Sequence, residues 1–240
     1  MGKNKLKKFA EVHNFPNVIE FNFSFKQIKE HPFKGKWKQL FFKNQNPITL
    51  ELACGKGEYT VALAQKYPNK NFIGIDIKGA RIWTGAKKAL ELNLKNAGFI
   101  RTRIEFLPYF LAEDEIDEIW ITFPDPQPKK PKKRLTSPYF LNLYKNFTKE
   151  KAPIHLKTDN QYLFEYTLKV LEKNNIKPII ACKDIYKEQN NIPKEAIEIQ
   201  TYYEKQFLAE NKKITYLQFR FSKKIIWQDI PKNPQGSPYK

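Results

Sequence analysis

Short apolar segments alternate with amphipathic helical patterns from Ile48 to Phe221, and this alternation constrains the fold more than any other feature. It is typical of an α/β domain with a mostly parallel sheet. The pattern predicts a doubly wound sheet of seven strands. These strands are expected at residues 48–53, 71–77, 99–104, 118–123, 154–158, 177–184 and 214–221.

Five helices are expected between the strands, because apolar residues recur there at three- and four-residue spacing. A charged segment at 187–194 precedes the final strand, so the arrangement at that end of the sheet stays open. The helices are expected at residues 57–66, 79–94, 137–147, 161–173 and 195–210.

The first 46 residues differ in composition from the rest of the chain, with ten lysines and three glutamates. Phe21, Phe23 and Phe25 alternate with the period of a strand, but the surrounding lysines favour an arm on the surface. We therefore expect a basic N-terminal extension at 1–46, one α/β domain at 47–223 and a C-terminal tail at 224–240.

Net charge narrows the class of partner. Lysine and arginine number 43 against 25 acidic residues, which gives a formal net charge of +18. Such a surface attracts polyanions, and a nucleic-acid or nucleotide partner is favoured over a merely basic enzyme or an anionic membrane surface. Of the 18 excess charges, 12 lie in residues 1–46 and 129–134.

Cysteine content bears on compartment and metal chemistry. Cys54 and Cys182 are the only two cysteines, which excludes a disulfide framework and a four-cysteine zinc site. The N-terminus lacks the apolar core of a signal peptide, and no segment reaches 18 uninterrupted apolar residues. We expect a soluble, cytoplasmic protein with no membrane partner and no metal, either a monomer or a homodimer.

The segment ITLELACGKGE, residues 48–58, runs from a strand through a glycine turn into a helix. Gly55 and Gly57 have no Cβ to keep a ligand away from the backbone and the helix N-terminus. Ala53 stands where a dinucleotide fingerprint has its first glycine. Glu51 suits an ammonium or sulfonium ligand and would repel a pyrophosphate, which disfavours a dinucleotide-dependent oxidoreductase.

Asp76 ends the second strand, where an acid can accept both hydroxyls of a ribose. Alone, Glu51 could be a surface or helix-capping carboxylate, and Asp76 could close an Asx-type turn. Together on one βαβ unit they favour an adenosyl ligand without a phosphate, and S-adenosylmethionine fits. The exit of the third strand, with Arg103 and Glu105, is expected to border the adenine.

The sharpest signal is FPDPQPKKPKKRL at 123–135. Pro124 and Pro126 bracket Asp125 and stiffen the chain at the end of the fourth strand, so this carboxylate is expected to be held over the site. Four lysines and an arginine follow within residues 129–134. The alternative is a polar loop whose charges face water.

These motifs resemble those of the bacterial tRNA (guanine-N7)-methyltransferases, over residues 47–221. The resemblance implies a Rossmann-like, seven-stranded class I methyltransferase sheet with helices on both faces. It also implies methylation of a guanosine at position 46 in the tRNA variable loop. The matching segments are ELACGKG at 51–57, GID at 74–76, FPDP at 123–126 with its basic run to Leu135, HLKTD at 155–159 and TYYE at 201–204.

The same resemblance assigns roles by residue match. Glu51, Asp76 and the turn around Arg103 and Ile104 would bind S-adenosylmethionine with Gly55 and Gly57, and S-adenosylhomocysteine would be the product. Asp125 would be cofactor-adjacent and catalytic. The substrate would contact Lys129, Asp159, Thr201, Tyr202, Tyr203 and Glu204.

The chain departs from the family pattern at three places. Ala53 replaces a frequent glycine, Arg103 replaces a frequent acid, and Gln127 replaces a frequent tryptophan, so the side chain that stacks on guanine is not identified. Tyr203 is expected in the core because it lies four residues from Phe207, whereas Tyr202 stays open. His155 is expected to serve packing or a hydrogen bond.

The reaction itself needs little from the protein beyond alignment and electrostatics. N7 of guanine has an in-plane lone pair, so no general base is required, and a fixed carboxylate such as Asp125 or Asp159 could stabilise the cationic product. Two alternatives remain: a methyltransferase acting at another nucleic-acid site, and an RNA-binding relative without activity.

Overall fold

The protein is described by a computed structural model covering residues 2–20, 29–188 and 191–230. Its contacts divide the chain into two compact units, Met1–Trp120 and Ile121–Lys240. The fold is α/β, as predicted, but the described residues contain eight strands rather than seven. The extra strand lies in the N-terminal segment.

The first unit is built on a parallel sheet with the strand order β1-β4-β3-β2. Strand β3 is buried along its whole length, and Ile48, Leu50 and Leu52 of β2 are fully buried. The elements are α1 (Gly2–Val12), β1 (Val18–Glu20), β2 (Ile48–Leu52), α2 (Glu58–Lys66), β3 (Asn71–Asp76), α3 (Gly79–Glu91) and β4 (Ala97–Arg101).

Strand β5 (Glu118–Thr122) spans the point where the two units divide. Within the first unit, the backbone N–H of Asp117 donates to the carbonyl of Ile48 at 2.9 Å. Within the second unit, the N–H of Phe123 donates to the carbonyl of Lys157 at 2.8 Å.

Much of the N-terminal segment packs into the first unit, so the structure does not confirm a surface arm. Helix α1 packs on α3, where the indole N–H of Trp83 donates to Glu11 at 2.7 Å. Strand β1 pairs in parallel with β4, and Glu20 forms an ion pair with Arg101 at 2.8 Å. The alternating Phe21, Phe23 and Phe25 lie outside the described residues.

Residues 29–46 are anchored by Trp37, which is fully buried. Its indole N–H donates to the carbonyl of Phe110 at 2.8 Å. The backbone N–H groups of Gly35 and Trp37 both donate to the carboxylate of Glu115. One buried acid, Glu115, thus holds the middle of this segment within the first unit.

In the second unit, β8 (Thr215–Arg220) lies between β6 (Pro153–Thr158) and β7 (Pro178–Cys182) and is antiparallel to both. This is the arrangement that the sequence left open at that end of the sheet. The helix expected at 195–210 is two helices, because Thr201 caps a new one. The elements are α4 (Pro138–Tyr144), β6 (Pro153–Thr158), α5 (Gln161–Lys173), β7 (Pro178–Cys182), α6 (Lys194–Glu198), α7 (Tyr202–Ala209) and β8 (Thr215–Arg220).

The third predicted strand also differs in its boundaries. Strand β4 covers residues 97–101 rather than 99–104, and Ile104–Tyr109 forms a short 3₁₀ helix instead.

None of the helices in the described ranges has the length and apolar character needed to cross a bilayer.

Candidate active site

The glycine turn of the first unit has three left-handed residues within five positions. The φ angles are +58° at Ala53, +56° at Gly55 and +68° at Gly57. A Cβ at Gly57 would lie 2.6 Å from the ring of Phe99, and one at Gly85 would lie 2.6 Å from the carbonyl oxygen of Lys56. Helix α3 therefore packs directly on the turn and fixes its backbone.

Ala53 adopts a conformation that costs a non-glycine residue about 1–2 kcal/mol. This is the position where the resembling family frequently has glycine. The departure noted in the sequence thus falls on a residue whose backbone favours glycine.

Glu51 is buried on β2, and its carboxylate holds the start of α2. One oxygen, Oε2, accepts from the backbone N–H of Thr60 at 2.8 Å and from the Thr60 hydroxyl at 2.5 Å. This is the helix-capping arrangement considered as an alternative. Direct cofactor binding by Glu51 stays a prediction.

Asp76, at the end of β3, connects the turn to the next helix. Its Oδ2 accepts from the N–H of Gly55 at 3.0 Å, and its Oδ1 accepts from the N–H of Lys78 at 2.7 Å. A carboxylate has about four acceptor positions, so two bonds leave capacity for ribose hydroxyls. A Cβ built at Gly55 meets no atom within 4 Å, so there is open space beside the turn. These features fit an adenosyl ligand.

The electrostatics of the turn favour a cation. Burial, followed by the negative charges of Glu51 and Asp76, raises the pKa of Cys54 well above its usual value. The Cys54 thiol therefore stays protonated and is not a nucleophile. The two carboxylates that act on it would stabilise a sulfonium or ammonium group in the same way.

The exit of β4, which is predicted to border the adenine, lies beside Asp76. The backbone N–H of Thr102 donates to the carbonyl of Asp76 at 3.1 Å. Arg103 follows with an exposed side chain, and Ile104 begins the 3₁₀ helix. The structure thus brings Gly55, Asp76 and this exit together within one unit.

In the second unit, the turn that carries Asp125 is strained on both sides. Phe123 has φ +47° and Gln127 has φ +45°, in the left-handed region that few bulky residues adopt. Asp125 is exposed, and its Oδ1 accepts from the N–H of Gln127 at 3.0 Å. Strain of this kind clusters at functional sites, where the surroundings hold it in place.

The basic run after Asp125 is not uniform. Its four lysines (Lys129, Lys130, Lys132 and Lys133) are exposed, whereas Arg134 is 1% exposed and donates to backbone carbonyls. The guanidinium of Arg134 is therefore not exposed to a polyanion. The lysines remain available to a polyanion.

A buried ion pair joins two of the sequence motifs. Lys157 and Glu204 are both fully buried, with the Lys157 ammonium 2.7 Å from Glu204 Oε1. The hydroxyl of Tyr186 donates to the same carboxylate at 2.8 Å. Burial lowers the pKa of Lys157 and raises that of Glu204, so each group depends on the other to remain charged.

Thr201 and Glu204 form the capping box that starts α7. The N–H of Glu204 donates to the Thr201 hydroxyl at 3.2 Å, and the N–H of Thr201 donates to Glu204 Oε2 at 3.3 Å. Tyr202 and Tyr203 are 49% and 43% exposed. The prediction that Tyr203 lies in the core is wrong. Phe207 packs against Phe123, whereas the side chain of Tyr203 is exposed.

The other predicted residues of this unit lie on β6 or just beyond it. Asp159 follows the strand half-buried, and burial raises its pKa. His155 is buried and hydrogen-bonded to the hydroxyl of Tyr216 at 2.6 Å, which confirms a structural role. Sequence reasoning missed Tyr186, because its position just before the charged segment 187–194 gave no sign of contact with Glu204.

No group of three or more histidine, cysteine or acidic side chains in the described ranges could hold a metal ion. Both cysteines are buried and free.

Comparison with known proteins identifies the family. A family model described as "Putative methyltransferase" matches residues 45–217. A tRNA (guanine-N(7)-)-methyltransferase of Bacteroides thetaiotaomicron is 44% identical over 240 residues, covering 100% of this chain and 94% of the relative. One from Christiangramia forsetii is 53% identical over 222 residues, covering 91% and 98%.

Solved structures show the same methyltransferase fold at low sequence identity. The 16S rRNA methyltransferase KamB has a TM-score of 0.60 at 14% identity and covers 81% of this chain and 95% of its own. A 30S ribosomal A1408 methyltransferase from an uncultured bacterium has a TM-score of 0.55 at 19% identity, covering 75% and 90%. From the close relatives, the chain belongs to the tRNA (guanine-N(7)-)-methyltransferase family.

Proposed function

We propose that this protein transfers the methyl group of S-adenosylmethionine to N7 of guanosine 46 in the variable loop of tRNA. The names of its relatives support the substrate class and the atom, and the motif resemblance supports the position. The observation that carries the proposal is Asp125, an exposed carboxylate on a strained turn followed by four exposed lysines.

S-adenosylmethionine, when bound, supplies an electrophilic methyl group on a sulfonium. Gly55 would allow close backbone approach, because a Cβ there meets no atom within 4 Å, whereas Gly57 would support the turn by packing against Phe99. Asp76 would accept hydrogen bonds from the ribose hydroxyls with its remaining lone pairs. Glu51 and Asp76 together favour the positive charge of the ligand. The main chain at Arg103 and Ile104 would border the adenine, with the Arg103 side chain exposed.

On the substrate side, the protein aligns the guanine and stabilises the charge that develops on it. N7 attacks with its own lone pair, so no side chain has to remove a proton. Asp125 is the catalytic acidic residue, because a carboxylate held in place stabilises the cationic 7-methylguanine. Asp159 lies at the end of the neighbouring motif and contacts the same nucleotide.

Binding of tRNA uses the exposed charges and rings of the second unit. Lys129 and the lysines after it contact phosphates. Tyr202 and Tyr203 present exposed rings at the start of α7, where they can stack on bases. Thr201 and Glu204 are buried, and they support this surface by fixing the start of α7.

The decisive experiment is methylation of an unmodified tRNA transcript by the purified protein with saturating S-adenosylmethionine. Nucleoside analysis is expected to find 7-methylguanosine, and a transcript with adenosine at position 46 is expected to yield none. Methylation at another position would support a different nucleic-acid site, and no methylation would support an RNA-binding relative.

The role of Asp125 is tested by Asp125→Asn, which keeps the shape and removes the charge. We expect turnover to fall at least about 10²-fold, the usual effect of removing one electrostatic stabiliser. Glu172→Gln is the matched control, because Glu172 is exposed on α5 outside the site. Full turnover in Asp125→Asn would refute the assignment.

A further inference from the structure

Arg134 stands apart from the basic run that it ends. Its side chain is 1% exposed, and within the described ranges no carboxylate lies at ion-pair distance from its guanidinium. Burying an arginine without a counter-ion is costly unless its N–H groups find acceptors. The residue therefore has a task inside the fold that its sequence context does not suggest.

The acceptors are mostly backbone carbonyls of the Asp125 turn. Arg134 Nε donates to Pro126 O at 3.1 Å, and Nη2 donates to Pro128 O at 3.3 Å. Nη2 also donates to the hydroxyl of Tyr162 at 3.3 Å. The guanidinium carbon lies 4.7 and 4.3 Å from the ring centres of Tyr162 and Tyr166, which are one helical turn apart on α5.

The two carbonyls flank the residue that orients Asp125. Gln127 lies between Pro126 and Pro128, has φ +45°, and donates its N–H to Asp125 Oδ1 at 3.0 Å. A left-handed glutamine persists only where its surroundings impose that conformation. Arg134 fixes the carbonyl on each side of Gln127, and so fixes the direction of the N–H that Asp125 accepts.

We propose that Arg134 is a positioning residue that holds the carboxylate of Asp125 in its working orientation through the carbonyls of Pro126 and Pro128. The inference rests on the proposed function, in which Asp125 stabilises the methylated guanine. A planar guanidinium can reach two carbonyls at once while it packs between two rings. A lysine ammonium is a compact point charge and cannot do both.

The test is Arg134→Lys, assayed on unmodified tRNA with saturating S-adenosylmethionine. We expect kcat to fall by about tenfold or more, since misplacement of a catalytic group by about 1 Å can cost 10²-fold. The KM for tRNA should change little. Lys133→Met, which removes an exposed lysine, should show the opposite pattern and raise KM. An unchanged kcat in Arg134→Lys, or a loss confined to KM, would overturn the proposal.

Loss of folding has to be separated from loss of positioning. Rates are referred to folded protein, measured by circular dichroism, with Lys169→Met as a control because Lys169 is exposed on α5. Hydrogen exchange at the Gln127 amide gives a second readout. We expect faster exchange in Arg134→Lys, because the N–H loses its fixed orientation toward Asp125. Exchange at the wild-type rate would contradict the mechanism.

A double-mutant cycle under single-turnover conditions identifies the route of the effect. If Arg134 acts through Asp125, Arg134→Lys should slow the wild type but add little to Asp125→Asn. Additive losses would refute the route. Failure of the proposed function looks different, because the wild-type protein itself would then form no 7-methylguanosine in tRNA.

Discussion

Glu204→Gln is expected to destabilise the second unit strongly, because it leaves the Lys157 ammonium buried without its counter-ion. Both side chains are fully buried, at an N–O distance of 2.7 Å. The Glu204 carboxylate accepts from Lys157, from the Tyr186 hydroxyl and from the Thr201 N–H. Glutamine keeps only one acceptor oxygen, so at least one of these donors is left unpaired.

The magnitude follows from these losses. An unpaired buried donor costs about 1–3 kcal/mol, and removal of one partner of a buried ion pair typically costs about 3–5 kcal/mol in all. We therefore expect Glu204→Gln to lower the free energy of unfolding by about 3–5 kcal/mol. The double variant Lys157→Met/Glu204→Leu should lose less, because no charge is then buried.

The assay is equilibrium urea unfolding followed by circular dichroism. Glu210→Gln is the matched control: Glu210 pairs with Lys212 at 2.9 Å, but the two side chains are 59% and 45% exposed, and such pairs contribute less than about 1 kcal/mol. The deficit of Glu204→Gln should shrink as pH rises, because the pKa of the buried lysine is lowered and its neutral form costs less. A loss below about 1 kcal/mol would show that the pair is solvated and would refute the reasoning.

Three further predictions concern other parts of the chain. Replacing Lys132 and Lys133 by Met should reduce the slope of log affinity for tRNA against log salt by about one for each phosphate that is no longer neutralised, measured by filter binding; an unchanged slope would place the phosphates elsewhere. Ala53→Val should cost more than about 1 kcal/mol in urea unfolding, because a β-branched residue is strained at φ +58°, whereas Ala53→Gly should cost nothing. Burial raises the pKa of Asp159, so the native protein binds more protons than the unfolded chain between the two pKa values, and Asp159 makes stability fall as pH rises through that window. Asp159→Asn should remove this decline, and an unchanged pH profile would show that Asp159 is solvated.

The sequence predicted the elements whose apolar residues form a short run or recur at helical spacing. Strands β2 and β3 were predicted within a few residues because they are mostly apolar and buried along their whole length. Helices α2, α3 and α5 were predicted as closely because their apolar residues recur at helical spacing. Strand β1 was missed because three residues carry no period, and its place is set by pairing with β4 and the Glu20–Arg101 ion pair. The break between α6 and α7 was missed because apolar spacing continues through the Thr201 cap.

The site residues stay predictions, and the structure adds conformations and burial around them that the sequence did not indicate. The left-handed φ angles of Phe123 and Gln127 depend on tertiary contacts, so no sequence pattern predicts them. The burial of Arg134 is hidden in the same way, since its neighbours in sequence are exposed lysines and its partners lie on α5.

The recognisable motifs mix two kinds of residue that sequence cannot separate. Asp125, Tyr202 and Tyr203 have exposed side chains, whereas Arg134 and Glu204 are buried and hydrogen-bond to the backbone around them. Both kinds are needed at fixed spacing, because an exposed carboxylate on a strained turn is useful only if something inside holds the turn. Substitutions of the exposed kind should therefore change the kinetics and leave the free energy of unfolding nearly unchanged. Substitutions of the buried kind should change both.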